Sequence, residues 1–257
     1  MRRRRFCLRA SAGILLACLS RGVWPAVSMR IALGEPAYLP LYDPGGRDGE
    51  GVFIDVFREL LGRRMGVALE FGMFPWARAQ VLVEAGQQDA ICTLATEARL
   101  AYAVSSRESV ISLPNRLFVR ADNPLLPRLR QVDSIEALRR IRPLMLGYIG
   151  NDWARQTFVG MRVDMSGDFD SAVRKLAAGR GDVMIDDAYS VRRALGKIEG
   201  GDRVLMLDKN FALTDYHLLI GKRSRYVSIM DRFDIELARF KKEEAYRRIL
   251  RRYGVVL

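Results

Sequence analysis

Three short segments place a charged or amide side chain at the end of an apolar run, where an α/β protein can gather a ligand. The first is Asp89-Ala90-Ile91-Cys92-Thr93-Leu94-Ala95-Thr96-Glu97-Ala98-Arg99, a strand-like stretch running into a short loop that ends in an arginine. Ligands of open α/β sheets collect beyond the carboxyl ends of the strands. A guanidinium there offers a planar, permanently charged fork that suits a carboxylate. Taken alone, Arg99 reads first as a surface arginine in an arginine-rich chain.

The second segment, Gly179-Arg180-Gly181-Asp182-Val183-Met184-Ile185-Asp186-Asp187, sets Asp187 just past a strand end, where its carboxylate would suit an ammonium group. Equally, Asp186 or Asp187 could cap a helix beginning at Ala188, a position that favours aspartate in its own right. One could cap while the other binds. The third, Leu146-Gly147-Tyr148-Ile149-Gly150-Asn151-Asp152-Trp153, reads as strand, glycine turn and helix start. Free backbone N–H groups there favour an anion and Asn151 could add a donor, with plain capping by Asn151 or Asp152 as the alternative.

Other chemistry finds little support. The single histidine, His217, sits in the apolar run Tyr216-His217-Leu218-Leu219-Ile220 and reads as a packed strand residue. No nucleophile elbow, metal-ligand cluster or phosphate loop is present, so neither a metal nor an organic cofactor is expected. An enzyme using only carboxylates, through Glu97, Asp186 or Asp187, is the remaining catalytic alternative.

The elements that would position these residues alternate short β-like runs with helix-period segments, the pattern of a layered α/β fold. Strands are expected over residues 30–33, 67–71, 89–92, 144–148, 162–165 and 182–185. Between them, Phe53, Val56, Phe57, Leu60 and Leu61 fall on one helical face. Further helices are expected at 76–85, 152–159, 168–178 and 188–195. Two sets of βαβ units imply two mixed sheets flanked by helices. Residues 115–121 and 216–220 read as crossings between them, and two crossing strands would form a hinge. Two amphipathic helices end the chain; Arg247, Arg248, Arg251 and Arg252 occupy the solvated face of the last, with a nucleic-acid patch as the disfavoured alternative.

The chain of 257 residues opens with four arginines after Met1, followed by an apolar run over residues 10–19, too short to span a membrane. This reads as an export signal over residues 1–28, with Ala26 and Ser28 as the small residues before the cut. Six arginines would leave with it, taking the net charge from +12 to +6. The rival cut, before Cys18 in Leu15-Leu16-Ala17-Cys18, would leave a lipid-anchored protein. The run Arg3-Arg4-Arg5-Phe6 also permits twin-arginine export. Cys92 would then be the lone cysteine, which fits a bacterial envelope protein without internal disulfides.

The order of Tyr38-Leu39-Pro40-Leu41-Tyr42, Gly51-x-x-x-Asp55, Trp76, Gly86-x-x-Asp89-Ala90, Thr96-x-x-Arg99 and Gly179-x-x-Asp182-(x)4-Asp187 resembles the bacterial extracellular solute-binding proteins of the polar amino-acid uptake family, family 3, in a divergent branch. The resemblance implies a two-lobed periplasmic-binding-protein fold of type II, with lobe 1 at 29–116 and 216–257 and lobe 2 at 117–215. It also implies that Thr96 and Arg99 grip an α-carboxylate, that Asp187 takes the α-ammonium, and that Tyr38 or Tyr42 covers the side chain. Trp76 and Asn151 complete the expected ligand-binding set. The partners implied are a small polar ligand, an amino acid or related carboxylate, and an ABC permease or a sensor protein, around a monomer that binds no nucleic acid. The loop before Arg99 is shorter than in the amino-acid binders, and Gly150-Asn151 stands where the family has Gly-Thr or Gly-Ser. An exported dehydratase-like enzyme of the same fold is the alternative.

Overall fold

The computed structural model describes residues 28–43, 45 and 49–256. The expected export signal lies outside them except for Ser28, so neither cleavage reading has a structural counterpart. The strands are β1 Met29–Glu35, β2 Leu69–Pro75, β3 Ala90–Thr93, β4 Ala103–Ser105, β5 Ile111–Arg120, β6 Met145–Tyr148, β7 Val163–Ser166, β8 Val183–Asp187 and β9 Val204–Gly221. The helices are α1 Val52–Phe57, α2 Trp76–Glu84, α3 Glu97–Leu100, α4 Leu126–Leu129, α5 Ile135–Ile141, α6 Asp152–Thr157, α7 Phe169–Ala177, α8 Ala188–Leu195, α9 Met230–Phe240 and α10 Glu244–Arg252.

The two expected sheets share a strand. Strand order runs β2-β1-β3-β9-β5-β8-β6-β7, with β4 also on β9. Parallel pairs β1·β2, β1·β3, β6·β7 and β6·β8 sit on the two sides, while β9 pairs antiparallel with β3, β4 and β5. The crossings therefore run side by side, from Ile111 opposite Tyr216 to Arg120 opposite Val204, with the register slipping between Asn115 and Leu117. Such a bulge bends and twists its strand.

Burial explains why these segments take these forms. Every residue of β3 and β8 is buried, as expected of strands covered on both faces. Phe53, Val56, Phe57, Leu60 and Leu61 are all at most 1% exposed, and the helical stretch continues past Phe57 as a wider π-helical turn over Arg58–Arg64. Phe57 and Phe233 bring α1 against α9 in the first core, and Tyr246 and Leu250 of α10 join it. A separate core gathers Leu117, Val119, Leu138, Phe158 and Ile185, with Phe118, Val173 and Leu176 on the other face of its sheet. The arginine face of α10 is solvated: Glu244 pairs with Arg247 and Arg251, and Glu243 reaches Arg64.

Helix α5 shows how local chemistry sets a boundary. Ser134 Oγ accepts from the Ala137 N–H at 3.2 Å. Removing an N-cap hydroxyl costs about 1 kcal/mol. Urea denaturation of Ser134→Ala should show a loss of that size, while a loss under about 0.3 kcal/mol would mean that packing alone holds α5.

Candidate functional site

Between the two sides lies a cavity of about 420 Å³, lined from both. From the first come Tyr38 and Tyr42 of the loop after β1, Trp76 and Gln80 of α2, and Thr93 and Arg99 around β3 and α3. From the second come Tyr148, Asn151, Asp152 and Trp153 around β6 and α6, Asp168 and Phe169 at the start of α7, and Asp186 in β8. Asn115, Thr214 and Tyr216 of the crossing strands form part of the wall, and Asn115 accepts from Thr214 Oγ1 at 3.0 Å.

The first loop is pinned before it reaches the cavity. Tyr38 and Tyr42 exchange backbone hydrogen bonds, closing a tight bridge. Gly51 lies against it with φ 124°, and a Cβ there would stand 2.5 Å from the Leu41 carbonyl oxygen. Tyr38 then crosses the cavity: its ring meets Phe169 edge-on at 4.9 Å, and its hydroxyl donates to Asp186 Oδ1 at 3.2 Å.

Arg99 is 2% exposed, and its donors are already engaged. Nε donates to Gln80 Oε1 at 3.0 Å, Nη1 to the Leu94 carbonyl at 3.1 Å, and Nη2 to Asp152 Oδ2 at 2.7 Å. The guanidinium also stands over the Trp76 ring, 5.5 Å from its centre. Burial lowers the pKa of Arg99 and the Asp152 charge opposes that shift. The ion pair joins the two sides. So does Gly150, at φ 98°, whose missing Cβ leaves room for Trp76 at 3.0 Å.

On the opposite wall, Asp186 is 6% exposed. Its Oδ1 accepts from the Asp187 backbone N–H at 2.7 Å and from Tyr38, and its Oδ2 accepts from Asn151 Nδ2 at 2.9 Å. Burial pushes its pKa up to about 7 against those hydrogen bonds. Desolvation likewise holds the hydroxyls of Tyr38, Tyr148 and Tyr216 well above the usual tyrosine range, so they remain neutral donors.

Of the expected ligand-binding residues, Tyr38, Tyr42, Trp76, Arg99 and Asn151 line the cavity together. Asn151 caps its helix, one of the two readings weighed for it, with Oδ1 accepting from the Ala154 N–H at 2.9 Å, while Nδ2 donates to Asp186. Asp187 is not in the lining. It is fully buried and caps α8, accepting from the N–H groups of Tyr189 and Ser190. β8 extends through Asp187 instead of ending at Ile185 as expected, and alternate strand residues face opposite sides, so Asp186 takes the cavity. Thr96 is also outside the lining: it stands at the N-cap position of α3 without a side-chain cap bond, and its carbonyl accepts from the N–H groups of Arg99 and Leu100. His217 packs as expected of a strand residue, with Nδ1 at 2.9 Å from the Ser106 carbonyl. The sequence offered Asp152 only as a helix cap; its pairing with Arg99 depends on a contact between distant segments.

Among the described residues, no group of three or more histidine, cysteine or acidic side chains is placed to hold a metal ion, and no helix is long and apolar enough to cross a membrane. The cavity lies between two packed cores. The sequence profile of the bacterial extracellular solute-binding proteins, family 3, matches residues 34–256. This chain belongs to that family. No curated protein matches it in sequence. Among solved structures, the family 3 chain is similar to a histidine kinase sensor domain with similarity to periplasmic binding proteins, at TM-score 0.73 and 18% identity over 90% of this chain and 97% of that one. It is similar to the substrate-binding protein of an amino acid ABC transporter, at TM-score 0.68 and 14% identity over 89% and 99% of the two chains. A third structure, an ancestral amino acid-binding protein described as a precursor of cyclohexadienyl dehydratase, gives TM-score 0.67 and 19% identity over 88% and 95%. These likenesses establish a periplasmic-binding-protein-like α/β fold for this family 3 chain, with a mixed sheet flanked by helices.

Proposed function

We propose that this family 3 protein is an exported, monomeric receptor that captures a small polar organic solute, of the size of an amino acid, and presents it to the permease of an ABC transporter. The observation that carries the reading is the cavity of about 420 Å³ with polar and aromatic walls from both sides. In this reading residues 29–116 and 216–257 form one lobe, 117–215 form the other, and the slipped register near Asn115 and Arg116 is where the crossing strands bend as the lobes close. Tyr38, Tyr42, Trp76, Arg99 and Asn151 are the contacts carried over from the sequence, joined by Asp186. The arginine-rich leader supports export to the periplasm. A sensor domain among the structural relatives supports a second use of the same capture step, with a signalling receptor in place of the permease. An enzymatic reading would need a proton-transfer group on the ligand, and Asp186 is the cavity residue that could supply one.

Two measurements test the receptor reading. A screen of amino acids, amines, carboxylates and sugars should return a ligand that raises the melting temperature, since binding to the folded state alone stabilises it by about 2.7 kcal/mol at one hundred times the Kd. The same ligand should change tryptophan emission, because Trp76 and Trp153 line the cavity from opposite sides. A stabilising ligand that alters neither the emission nor the small-angle scattering radius would show that capture does not proceed by closure.

A further inference from the structure

The cavity wall carries four carboxylates, Glu35, Asp152, Asp168 and Asp186, and a single cationic side chain, Arg99. Three of the four have partners or water. Asp152 is bound to Arg99 and Arg155, Asp168 Oδ1 accepts from the Ser171 N–H at the start of α7, and Glu35 is exposed. Asp186 differs. Both of its oxygens accept hydrogen bonds from neutral donors, it is nearly sealed from solvent, and among the described residues it has no lysine, arginine or histidine as an ion-pair partner. A buried carboxylate without a counter-charge is costly, and a cation delivered to it removes that cost. Tyr38, Tyr148 and Phe169 stand around the same end of the cavity, with Tyr38 and Tyr148 both edge-on to the Phe169 ring. Aromatic faces attract organic cations, most strongly where water is excluded. Arg99, the cation of the lining, already has a carboxylate, that of Asp152 at 2.7 Å, so a ligand carboxylate would have to displace it.

We infer that the ligand is an organic cation whose ammonium or guanidinium group supplies the missing counter-charge of Asp186 among the aromatic rings, and that it needs no carboxylate on Arg99. The inference rests on the receptor reading and narrows its substrate class to amines and guanidines. It also makes capture sensitive to pH. The groups facing Asp186 are Tyr38 from the first loop, Tyr148 and Asn151 around β6, Asp187 beside it in β8 and Tyr216 of β9. The tyrosines stay neutral, and burial raises Asp187 in the same direction as Asp186. With Asp186 titrating at about 7, a cation meets the ionised form at pH 8 and must displace a proton at pH 6.

Matched pairs decide the matter by calorimetry on the purified protein: agmatine against arginine, cadaverine against lysine, with glutamate and glucose alongside. Agmatine and cadaverine should bind at least as tightly as their carboxylated counterparts, and the tighter of the two should bind about tenfold more weakly at pH 6 than at pH 8. Asp186→Asn should lose at least tenfold in that affinity without lowering the melting temperature of the unliganded protein at pH 8, because the substitution removes a charge that burial penalises. Should that variant fail to fold, the wild-type pH profile still decides. Binding of arginine and lysine but not of the decarboxylated pair overturns the inference, as does an affinity independent of pH. If glutamate or glucose binds and no cation does, the inference fails while the receptor reading stands. If none of the six binds, the inference fails and the receptor reading rests on the wider screen.

Discussion

Gly51→Ala is expected to cost about 3 kcal/mol or more in folding stability and to weaken ligand capture along with it. The backbone of Gly51 has φ 124° and ψ 161°, a region that residues with a Cβ scarcely enter, at a strain of about 1–3 kcal/mol. A methyl group there would also stand 2.5 Å from the Leu41 carbonyl oxygen and 2.6 Å from Tyr42 Cα. Both are backbone atoms, so no side-chain rotation relieves the clash. The bridge between Tyr38 and Tyr42 would have to move, and it sets both tyrosines in the cavity wall. Gly66→Ala is the comparison: its φ is 72° but nothing lies within 4 Å of the added carbon, so its expected cost is only about 1–2 kcal/mol. Urea unfolding of both variants gives the difference. Equal losses would mean that the first loop yields to the added methyl, contrary to the packing.

The second large effect concerns the ion pair across the cavity. Asp152→Ala leaves the Arg99 guanidinium, 3% exposed at its side chain, without the charge that compensates its burial. Breaking a buried pair costs about 3–5 kcal/mol, and about 3 is expected here because Asp152 keeps 25% of its side-chain surface in water. Replacing both residues with apolar side chains of similar size, Arg99→Met with Asp152→Leu, should restore much of that loss, since two apolar partners leave no stranded charge. The sign of the coupling is the informative result. If the double variant is as unstable as the sum of the single ones, the pair contributes nothing as a pair. If Asp152→Ala instead costs little and expands the molecule in solution scattering, Arg99 regains its water by opening of the cavity, and the ion pair serves as a latch between the two sides.

The alternation of apolar runs with helical periods located β1, β2, β3, β6, β7 and β8 to within a few residues. Of these, β1, β3, β6 and β8 are mostly buried greasy segments, whereas β2 and β7, at the two edges of the sheet, have at most one buried residue each and were marked by their place between helical segments. Helix α8 begins at Ala188 as its aspartates suggested. The first half of β9 was not legible. Its apolar start, Val204-Leu205-Met206-Leu207, is cut short by Asp208, Lys209 and Asn210, and every residue from Val204 to Leu213 is half-buried or exposed, so neither strict alternation nor a run of strand length marks it. It is a strand because β5 supplies its hydrogen bonds, which is tertiary information. The choice between Asp186 and Asp187 was open for a similar reason: two adjacent aspartates point to opposite faces of a strand, and only the register fixes which faces the cavity. Arg99 was found from its place after β3, but its neutralisation by Asp152, fifty-three positions away, was not.

Because β9 is the common neighbour of β3 and β5, neither sheet has its central strand until nearly the whole polypeptide exists. Ala90 waits for Ile220, and Ile111 for Tyr216. During synthesis, β3 and β5 would each emerge with one hydrogen-bonding edge vacant, and such edges invite pairing with the wrong chain. Contacts so distant along the chain also form slowly. A nascent chain of this order gains by remaining unfolded and guarded until its last quarter is made, and the two halves then mature together around one late strand.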